Sequence, residues 1–328
     1  MVATDQGHPR GHGVTRPWAL RVGLLPEELF STWLVRAALA QGCDPMDLTG
    51  SLWPRWRAWT VDLDRGLAPE RLAVLAARSG VAAAELEAAM LHPLLAAIAP
   101  GVEPSQATWP WILAQGSRNR RRQGGLQFCP ACLAEDATPY FRRSWRLAWH
   151  VGCVRHGILL SDHCGRCHSP AEPHRVRASD VTLCRCPSCG HDLRDTATSV
   201  ACAEALDFQR AADHVLSTGH GIWSAVPVTR ERWFHLAKTK ASGRLLGLPG
   251  DQAPLGVTSL ALNLQRPSER VQRLRMALRG MNGQACEMPM VARGAPGGGA
   301  ARLATSRPQA KVQGEWIRLL RRSRVGHA

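Results

Sequence analysis

Four pairs of metal-ligand residues decide the fold of this sequence: Cys129-Pro130-Ala131-Cys132, Cys153-Val154-Arg155-His156, Cys164-Gly165-Arg166-Cys167 and Cys186-Pro187-Ser188-Cys189. Two residues separate the ligands of every pair, so one tight turn can present both donor atoms to the same metal ion. Two such turns complete a tetrahedral site, and the loops 133–152 and 168–185 have the length that a zinc ribbon requires. The pattern therefore predicts two structural zinc sites.

The order of the pairs leaves two ways to assemble these sites. In the sequential arrangement, which we favour, one zinc ion is held by Cys129, Cys132, Cys153 and His156, and the other by Cys164, Cys167, Cys186 and Cys189. A cross-brace would instead join the first pair to the third and the second to the fourth. Gly157, Gly165 and Gly190 lie in or directly after these pairs, where we expect knuckle turns with positive φ angles.

Other thiols and imidazoles lie near the four pairs. Cys184 could replace Cys186 as a ligand, although the Cys-Pro-x-Cys form of the last pair favours Cys186. Four histidines could also substitute for a ligand, but we expect them to be surface or capping residues: His150, His163, His168 and His191.

The motifs of the sequence do not predict catalysis. Both sites are filled by four protein ligands, whereas a catalytic zinc ion keeps one position open for water. The sequence has no HExxH, Walker A or GxSxG motif, no deaminase His-x-Glu, and no cluster of acids suited to two-metal nuclease chemistry. We therefore predict a protein that is not an enzyme.

The charge balance favours a polyanionic partner such as DNA. The chain of 328 residues has a formal net charge of +15, and each Lys or Arg that meets a phosphate releases condensed counterions. The alternative is that arginine merely covers the surface, as in an Arg-rich proteome. The clustered thiols, the polar N-terminus and the lack of a long apolar run predict a cytoplasmic protein without a membrane partner.

Composition and periodicity predict a mainly α fold with small zinc-ribbon or knuckle modules. The expected segments are a disordered 1–16, a helical, helix-turn-helix-like domain 17–100, a connector 101–125, a tandem zinc-finger region 126–195, a helical C-terminal domain 196–290 and a basic flexible tail 291–328.

The first helix is predicted from apolar residues that recur at helical spacing after Pro26. Pro26 suits a first helical turn, and Gly42 is expected to end the helix. Trp53, Trp56 and Trp59 follow at intervals of three, and we expect one helical face to carry all three into the core.

Other segments also have helical patterns. Residues 69–78 and 82–91, joined by a turn that contains Gly80, have the layout of a helix-turn-helix, with an ordinary helical hairpin as the alternative. Residues 201–216 and 268–279 are predicted to be helical as well.

Two groups of arginines are candidates for phosphate contact. They are Arg118, Arg120, Arg121 and Arg122 in the connector, and Arg142 and Arg146 between the first two ligand pairs. The connector group is either a solvated basic loop or a phosphate-binding one. The second group would share a helical face that could meet phosphate or an acidic partner. Trp145 and Trp149 would share the neighbouring face and pack over the zinc knuckle.

These motifs resemble the TniQ family, which includes the TnsD-type target selectors of transposons. The resemblance is carried by Phe128-Cys-Pro-Ala-Cys-Leu-Ala-Glu-Asp136, Tyr140, Arg142-x-x-Trp145-x-x-x-Trp149, Cys153-x-x-His156-Gly157, Leu159 and Cys164-x-x-Cys167. The segment Leu25-Pro26-x-Glu28-x-x-x-x-Trp33-Leu34 resembles the N-terminus of the family. The similarity covers roughly residues 20–195.

The resemblance implies a non-catalytic transposition protein that selects or marks a DNA target site and recruits an AAA+ ATPase of the TnsC or TniB type. That ATPase then engages the transposase. Some members recognise a defined DNA sequence, whereas others act with an RNA-guided effector complex and form dimers. The main alternative is a stand-alone zinc-ribbon and helix-turn-helix regulator that binds DNA sequence-specifically, and a metal nuclease is the third option.

Overall fold

The computed structural model describes residues 16–115, 126–241 and 266–283. The described part is mainly helical, with two small antiparallel sheets of two strands each. Its helices are α1 (Phe30–Ala40), α2 (Pro45–Leu52), α3 (Pro69–Ser79), α4 (Ala83–Ala88), α5 (His92–Ile98), α6 (Pro130–Glu135), α7 (Ala203–Thr218), α8 (Arg230–Ala241) and α9 (Pro267–Met281). Its strands are β1 (Gly152–Cys153), β2 (Ile158–Leu159), β3 (His220–Trp223) and β4 (Val226–Thr229). In the described part, no helix has both the length and the apolar character needed to cross a membrane.

Helix α1 begins later than the sequence predicts. Pro26 lies outside the helix, because Glu27 adopts a φ of 55° and Leu29 is still extended. The Glu28 carboxylate accepts a hydrogen bond from the Leu25 N–H at 2.9 Å and pairs with Arg36 at 2.7 Å. Glu28 therefore ties the turn before the helix to the helix itself, instead of lying in the first helical turn.

The three tryptophans after α2 do not share a helical face, so that prediction is wrong. Helix α2 ends at Leu52, and the chain then turns, with Arg55 at a φ of 68°. Trp53 is buried and meets the edge of Trp56 with 5.2 Å between ring centroids. Trp59 lies farther on, in the short 3-10 helix Ala58–Thr60. The left-handed turn interrupts the periodicity that the spacing of three suggested.

Helices α3 and α4 form a short hairpin. Helix α3 ends at Gly80, whose φ of 69° is the left-handed conformation that glycine adopts without steric cost. Helix α4 spans only six residues, and α5 begins separately at His92. The predicted helix 82–91 is therefore broken near its end, and a helix-turn-helix role for the hairpin stays a prediction.

Two apolar cores meet at α1. Phe30, Trp33 and Leu34 belong to the core of the N-terminal helices. Leu29 and Val35 face a larger core, which contains the cysteine region and continues into helices α7, α8 and α9. The cysteine region and the C-terminal helices thus share one core within the described residues, and the predicted boundary between them at residue 195 stays a prediction.

The C-terminal helices agree with the predicted segments, but they enclose a hairpin that the sequence did not predict. Strands β3 and β4 pair antiparallel, with His220 opposite Thr229 and Trp223 opposite Val226. The turn consists of Ser224 and Ala225, which have φ angles of 47° and 65°. Tight hairpin turns usually place Asn or Gly at such positions, so the strongest local signal for this hairpin is missing.

Arg270 anchors α9 to the cysteine region. Its side chain is fully buried and donates hydrogen bonds to the carbonyl oxygens of Ala148 and His150 and to Oε1 of Gln127. Burial lowers the pKa of Arg270 to about 9, so the guanidinium stays charged at neutral pH. Helix α9 is therefore held by directed polar contacts as well as by apolar packing.

Arg270→Met is expected to lower the free energy of unfolding by about 1–3 kcal/mol, since it removes the donor to the buried Ala148 carbonyl oxygen and to Oε1 of Gln127. Urea denaturation followed by tryptophan fluorescence measures the change. Arg275→Met on the same helix is the control, because Arg275 pairs with Glu204 in a partly exposed position where a salt bridge contributes about 0–1 kcal/mol. Equal losses in the two variants would contradict the anchoring role of Arg270.

Candidate metal centres

The eight predicted ligands lie in two groups of four. Within each group, the donor atoms are all within 4.8 Å of one another. The first group is Cys129, Cys132, Cys153 and His156, and the second is Cys164, Cys167, Cys186 and Cys189. This grouping joins successive pairs, as in the sequential arrangement, and not alternate pairs as in a cross-brace.

The first group is assembled by a helix start and a β-turn. Cys129 caps α6, and its Sγ accepts a hydrogen bond from the Cys132 N–H at 3.4 Å. Pro130 suits the first position of this helix, because its missing N–H has no intrahelical partner there. Cys153 ends β1, and His156 lies in the turn before β2. The three thiols are buried, so this centre is enclosed by the larger core.

Donor distances in the first group fit a tetrahedral ion. The Sγ atoms of Cys132 and Cys153 are 3.6 Å apart, and Nδ1 of His156 lies 3.3–3.4 Å from all three sulfurs. With zinc bond lengths, a tetrahedron has sulfur–sulfur edges of about 3.8 Å and sulfur–nitrogen edges of about 3.6 Å. The residues could therefore hold one metal ion without rearrangement.

Two sulfur–sulfur distances in the second group are similar to that in the first. The Sγ atoms of Cys164 and Cys189 are 3.7 Å apart, and those of Cys167 and Cys186 are 3.6 Å apart. Cys164 and Cys186 are buried, whereas Cys167 lies at the surface. This centre is consequently more accessible to solvent than the first.

A common turn presents three of the four pairs. The amides of Gly157, His168 and Gly190 donate to the carbonyl oxygens of Cys153, Cys164 and Cys186 at 2.8–3.0 Å. The φ angles of these three residues lie between 56° and 73°. The prediction of positive φ is thus confirmed for the two glycines that follow a pair.

Gly165 does not follow that prediction. Its φ is not among the positive angles, and a Cβ there would lie 3.1–3.2 Å from atoms of Thr196. Gly165 therefore permits a close approach of two chain segments, and His168 supplies the left-handed position of this turn.

A carboxylate supports the imidazole of the first group. Oε2 of Glu135 lies 3.0 Å from Nε2 of His156 and 2.7 Å from the Arg155 guanidinium. Nε2 has no well-aligned hydrogen bond within the described residues, so the carboxylate acts through its charge beside the ring, while Nδ1 faces the three sulfurs. The sequence analysis did not identify Glu135 as a neighbour of the metal ligands. Its position three residues after Cys132, at the end of α6, is the feature that could have indicated this role.

The alternative ligands lie outside both groups. Cys184 is buried, and burial raises the pKa of its thiol to about 11. His150 is also buried, with Nε2 2.8 Å from Asp213 and Nδ1 3.0 Å from the Gln209 amide. His163 lies 2.7 Å from Asp162. These residues are therefore structural neighbours of the two groups.

The arginine predictions require a correction. Arg146 is fully buried and pairs with Asp62 at 2.6 Å and with Asp64 at 2.7 Å. Arg142 pairs with Asp136 at 2.8 Å, and its guanidinium lies 4.5 Å from the ring centre of Tyr140. These arginines therefore do not form an exposed basic face, because both are already paired with aspartate side chains of the same chain. Arg118, Arg120, Arg121 and Arg122 lie outside the described residues.

The predicted helix around Trp145 and Trp149 is wrong as well. Only a 3-10 turn, Arg143–Arg146, forms there. Trp145 packs against Phe141, and Trp149 packs against Phe234 of α8 with 4.9 Å between ring centroids. The two rings thus support different parts of the core, and they do not form one layer over the metal ligands.

The Arg146 ion pairs belong to a buried network that joins the N-terminal helices to the segment between the first two ligand pairs. Asp64 also accepts hydrogen bonds from the N–H and the hydroxyl of Ser31 at 2.7 and 2.9 Å. Burial raises the pKa of Asp64 to about 6, although Arg146 acts in the opposite direction. The carboxylates of Asp62 and Asp64 outweigh burial at Arg146 and raise its pKa. Arg146 thus stays charged between two acids.

A second link joins the N-terminal helices to the loop between the third and fourth ligand pairs. The Trp59 and His174 rings stack with 5.1 Å between centroids and an interplanar angle of 14°. Oδ1 of Asp44 accepts a hydrogen bond from the Ala178 N–H at 2.7 Å. Burial, with a smaller contribution from Arg175, lowers the pKa of His174 to about 4.

This pKa predicts a stability loss in mild acid. An unfolded histidine has a pKa of about 6.5, so the unfolded state binds more protons than the folded state between about pH 6.5 and 4, and stability falls as the pH decreases. Between pH 7 and pH 5, the free energy of unfolding of wild type is expected to fall by about 1–2 kcal/mol more than that of His174→Gln. The glutamine side chain does not titrate in this range. Urea denaturation at both pH values measures the difference. Protonation of the metal ligands affects both proteins equally. Equal losses of stability in the two proteins would therefore contradict a lowered pKa of His174 in the folded state.

Comparison with known proteins identifies the N-terminal half of the molecule. Residues 19–160 match the model of the TniQ family. The matched region contains the N-terminal helices and all four residues of the first metal group, and it ends before the second group. In a comparison with curated proteins, none matched the chain. A TniQ domain indicates a transposition-associated protein. The match over residues 19–160 supports membership of the chain in the TniQ family.

Proposed function

We propose that this protein is a non-catalytic component of a transposition system, which selects or marks a DNA target site and recruits an AAA+ ATPase regulator of the transposase. The observation that carries the proposal is the TniQ domain over residues 19–160. The net charge of +15 supports a DNA partner, since arginine and lysine neutralise phosphates.

Zinc is the metal that we propose for both groups, with a structural role. Three thiolates and an imidazole, or four thiolates, are the donor sets of structural zinc sites. Each group supplies four protein donors at tetrahedral distances, which leaves no position for substrate or water. The proposal of a non-catalytic protein rests on these closed donor sets together with the family.

Recruitment can be tested directly. The zinc-loaded full-length chain, immobilised through a tag, is expected to capture an AAA+ ATPase encoded beside it, and to capture more when duplex target DNA is added. The purified chain alone should neither cleave DNA nor hydrolyse ATP. Failure to capture the ATPase with and without DNA would contradict the proposal. Tight, sequence-specific duplex binding in the same failed experiment would favour the stand-alone DNA-binding regulator instead.

A further inference from the structure

A surface cleft separates the N-terminal helices from the second metal centre. Its volume is about 750 Å³, which lies within the usual range for ligand sites of about 300–1,000 Å³. One wall comes from residues 44–60 and the other from residues 170–177. Gln115 and Leu126 line its end. Neither metal group lines the cleft.

Aromatic side chains form part of this cleft. Trp56 and Trp59 are both partly exposed and line it together with His174. The Trp59 and His174 rings are already stacked, and the Arg71 guanidinium lies 4.1 Å from the ring centre of Trp56. The exposed parts of these two tryptophan rings are available for stacking with an aromatic ligand.

Cations exceed anions in the cleft. Arg57, Arg175 and Arg177 line it, against two acids, Asp44 and Glu172. Asp44 already accepts the Ala178 N–H, and Glu172 pairs with Arg175 at 3.3 Å. Among the described residues, the exposed guanidinium groups of Arg57 and Arg177 have no carboxylate partner. Two positive charges therefore remain for an anionic ligand.

A helical glycine leaves additional space in the cleft. Gly50 lies within α2 and lines the cleft, and a Cβ added there would meet no atom within 4 Å. Glycine inside a helix costs about 0.5–1 kcal/mol relative to alanine. A larger side chain at position 50 would therefore meet no clash at its Cβ and would occupy part of the cleft.

We propose that this cleft binds a short unpaired stretch of nucleic acid. Unpaired bases would stack on the aromatic wall, and Arg57 and Arg177 would bind the adjoining phosphates, which is the combination that single-strand-binding grooves use. A paired duplex buries the faces of its bases, so it cannot use the tryptophans in this way. The inference deepens the proposed function and rests on it, since it assigns one nucleic-acid contact of a transposition protein to this cleft.

Binding of labelled oligonucleotides to the full-length zinc-loaded chain tests the cleft. The probes are oligothymidylate and oligouridylate of about 20 nucleotides and a duplex of equal length, and fluorescence anisotropy gives each Kd. Arg57→Glu/Arg177→Glu is expected to raise the Kd for the single strands by about tenfold or more. The matched control is Arg210→Glu/Arg232→Glu, which changes the charge equally at exposed arginines outside the cleft, and it should change the Kd by less than about threefold.

A neutral substitution separates steric blocking from charge. Gly50→Leu fills the cleft without a charge change and is expected to weaken single-strand binding about fivefold or more, while its melting temperature stays close to that of wild type. Trp56→Phe should retain more binding than Trp56→Ala, because it keeps a stacking surface. Weaker binding of only oligothymidylate or only oligouridylate would identify the ligand as DNA or RNA, respectively, and would support the proposal.

Three outcomes would overturn the cleft proposal. They are wild-type affinity in all cleft variants, binding of the duplex alone, and loss of ATPase capture in variants that still bind single strands. The last outcome would make the cleft a protein-binding site. A wrong proposed function would give another pattern of results. Wild type would then capture no ATPase, while the cleft variants would still bind the oligonucleotides more weakly than wild type.

Discussion

Replacing Cys132 by serine is expected to empty the first metal group and unfold the part of the core around it. The Cys132 sulfur lies 3.6 Å from that of Cys153 and 3.4 Å from Nδ1 of His156, and it is buried. Metal binding contributes on the order of 10 kcal/mol to the folding of structural zinc modules. Because this group shares a core with α7 and α8, the loss should extend beyond the module. Thermal melting, limited proteolysis and the zinc content of Cys132→Ser measure the effect.

Cys184→Ser is the matched control for this prediction. Cys184 is a buried thiol two residues before Cys186, but it belongs to neither metal group. Its replacement should leave the zinc content unchanged and cost only the small free energy of one buried polar substitution. Loss of zinc from Cys184→Ser, or wild-type zinc content and melting in Cys132→Ser, would show that the ligand assignment is wrong.

Arg146→Met is expected to lower the free energy of unfolding by about 3–5 kcal/mol, because it removes the cation from a buried ion pair and leaves its carboxylates uncompensated. Asp64 is fully buried, and the Asp62 side chain is only 13% exposed, so water cannot replace the guanidinium. Arg146 also donates to the Leu113 carbonyl oxygen at 2.8 Å. Urea denaturation at pH 7, followed by tryptophan fluorescence, measures the loss.

Two further variants make the Arg146 prediction specific. Arg143→Met removes the arginine of an ion pair whose acid, Glu27, is 62% exposed. Loss of this ion pair should lower the free energy of unfolding by only about 0–1 kcal/mol. Asp62→Asn and Asp64→Asn, added together to Arg146→Met, should restore part of the lost stability, since they remove the unpaired charges. A small loss in Arg146→Met, without recovery in the triple variant, would contradict a buried charge network.

The two groups of candidate ligands could be predicted because their geometry is local. A Cys-x-x-Cys or Cys-x-x-His spacing places two donors in one turn whatever the rest of the chain does. The left-handed φ angles at Gly157 and Gly190 follow from the same turn. The pairing of successive turns was the favoured one of two alternatives, and the distances within each group agree with it.

The role of Arg146 could not be predicted, because it depends on residues distant in sequence. A spacing of four between Arg142 and Arg146 suggested one helical face, yet Arg146 pairs with Asp62 and Asp64, which are 84 and 82 positions away. Only the tertiary fold decides whether an arginine meets solvent or a buried carboxylate. The cleft could not be predicted for the same reason, since its two walls, residues 44–60 and 170–177, are far apart in the sequence.

Backbone breaks account for the other differences. The left-handed conformations of Glu27 and Arg55 interrupt segments whose apolar spacing resembled continuous helix. Neither residue is a glycine or asparagine, which are the usual signals for such a conformation. The hairpin of β3 and β4 was missed for the same reason, since its turn residues are Ser224 and Ala225.

The most direct test of this account is the zinc content of the purified, folded, full-length chain by elemental analysis. Two zinc ions per chain are expected, one for each group of four ligands. One zinc ion or none, in a protein that is folded by circular dichroism and melts cooperatively, would contradict the ligand assignment and the structural role proposed for both centres.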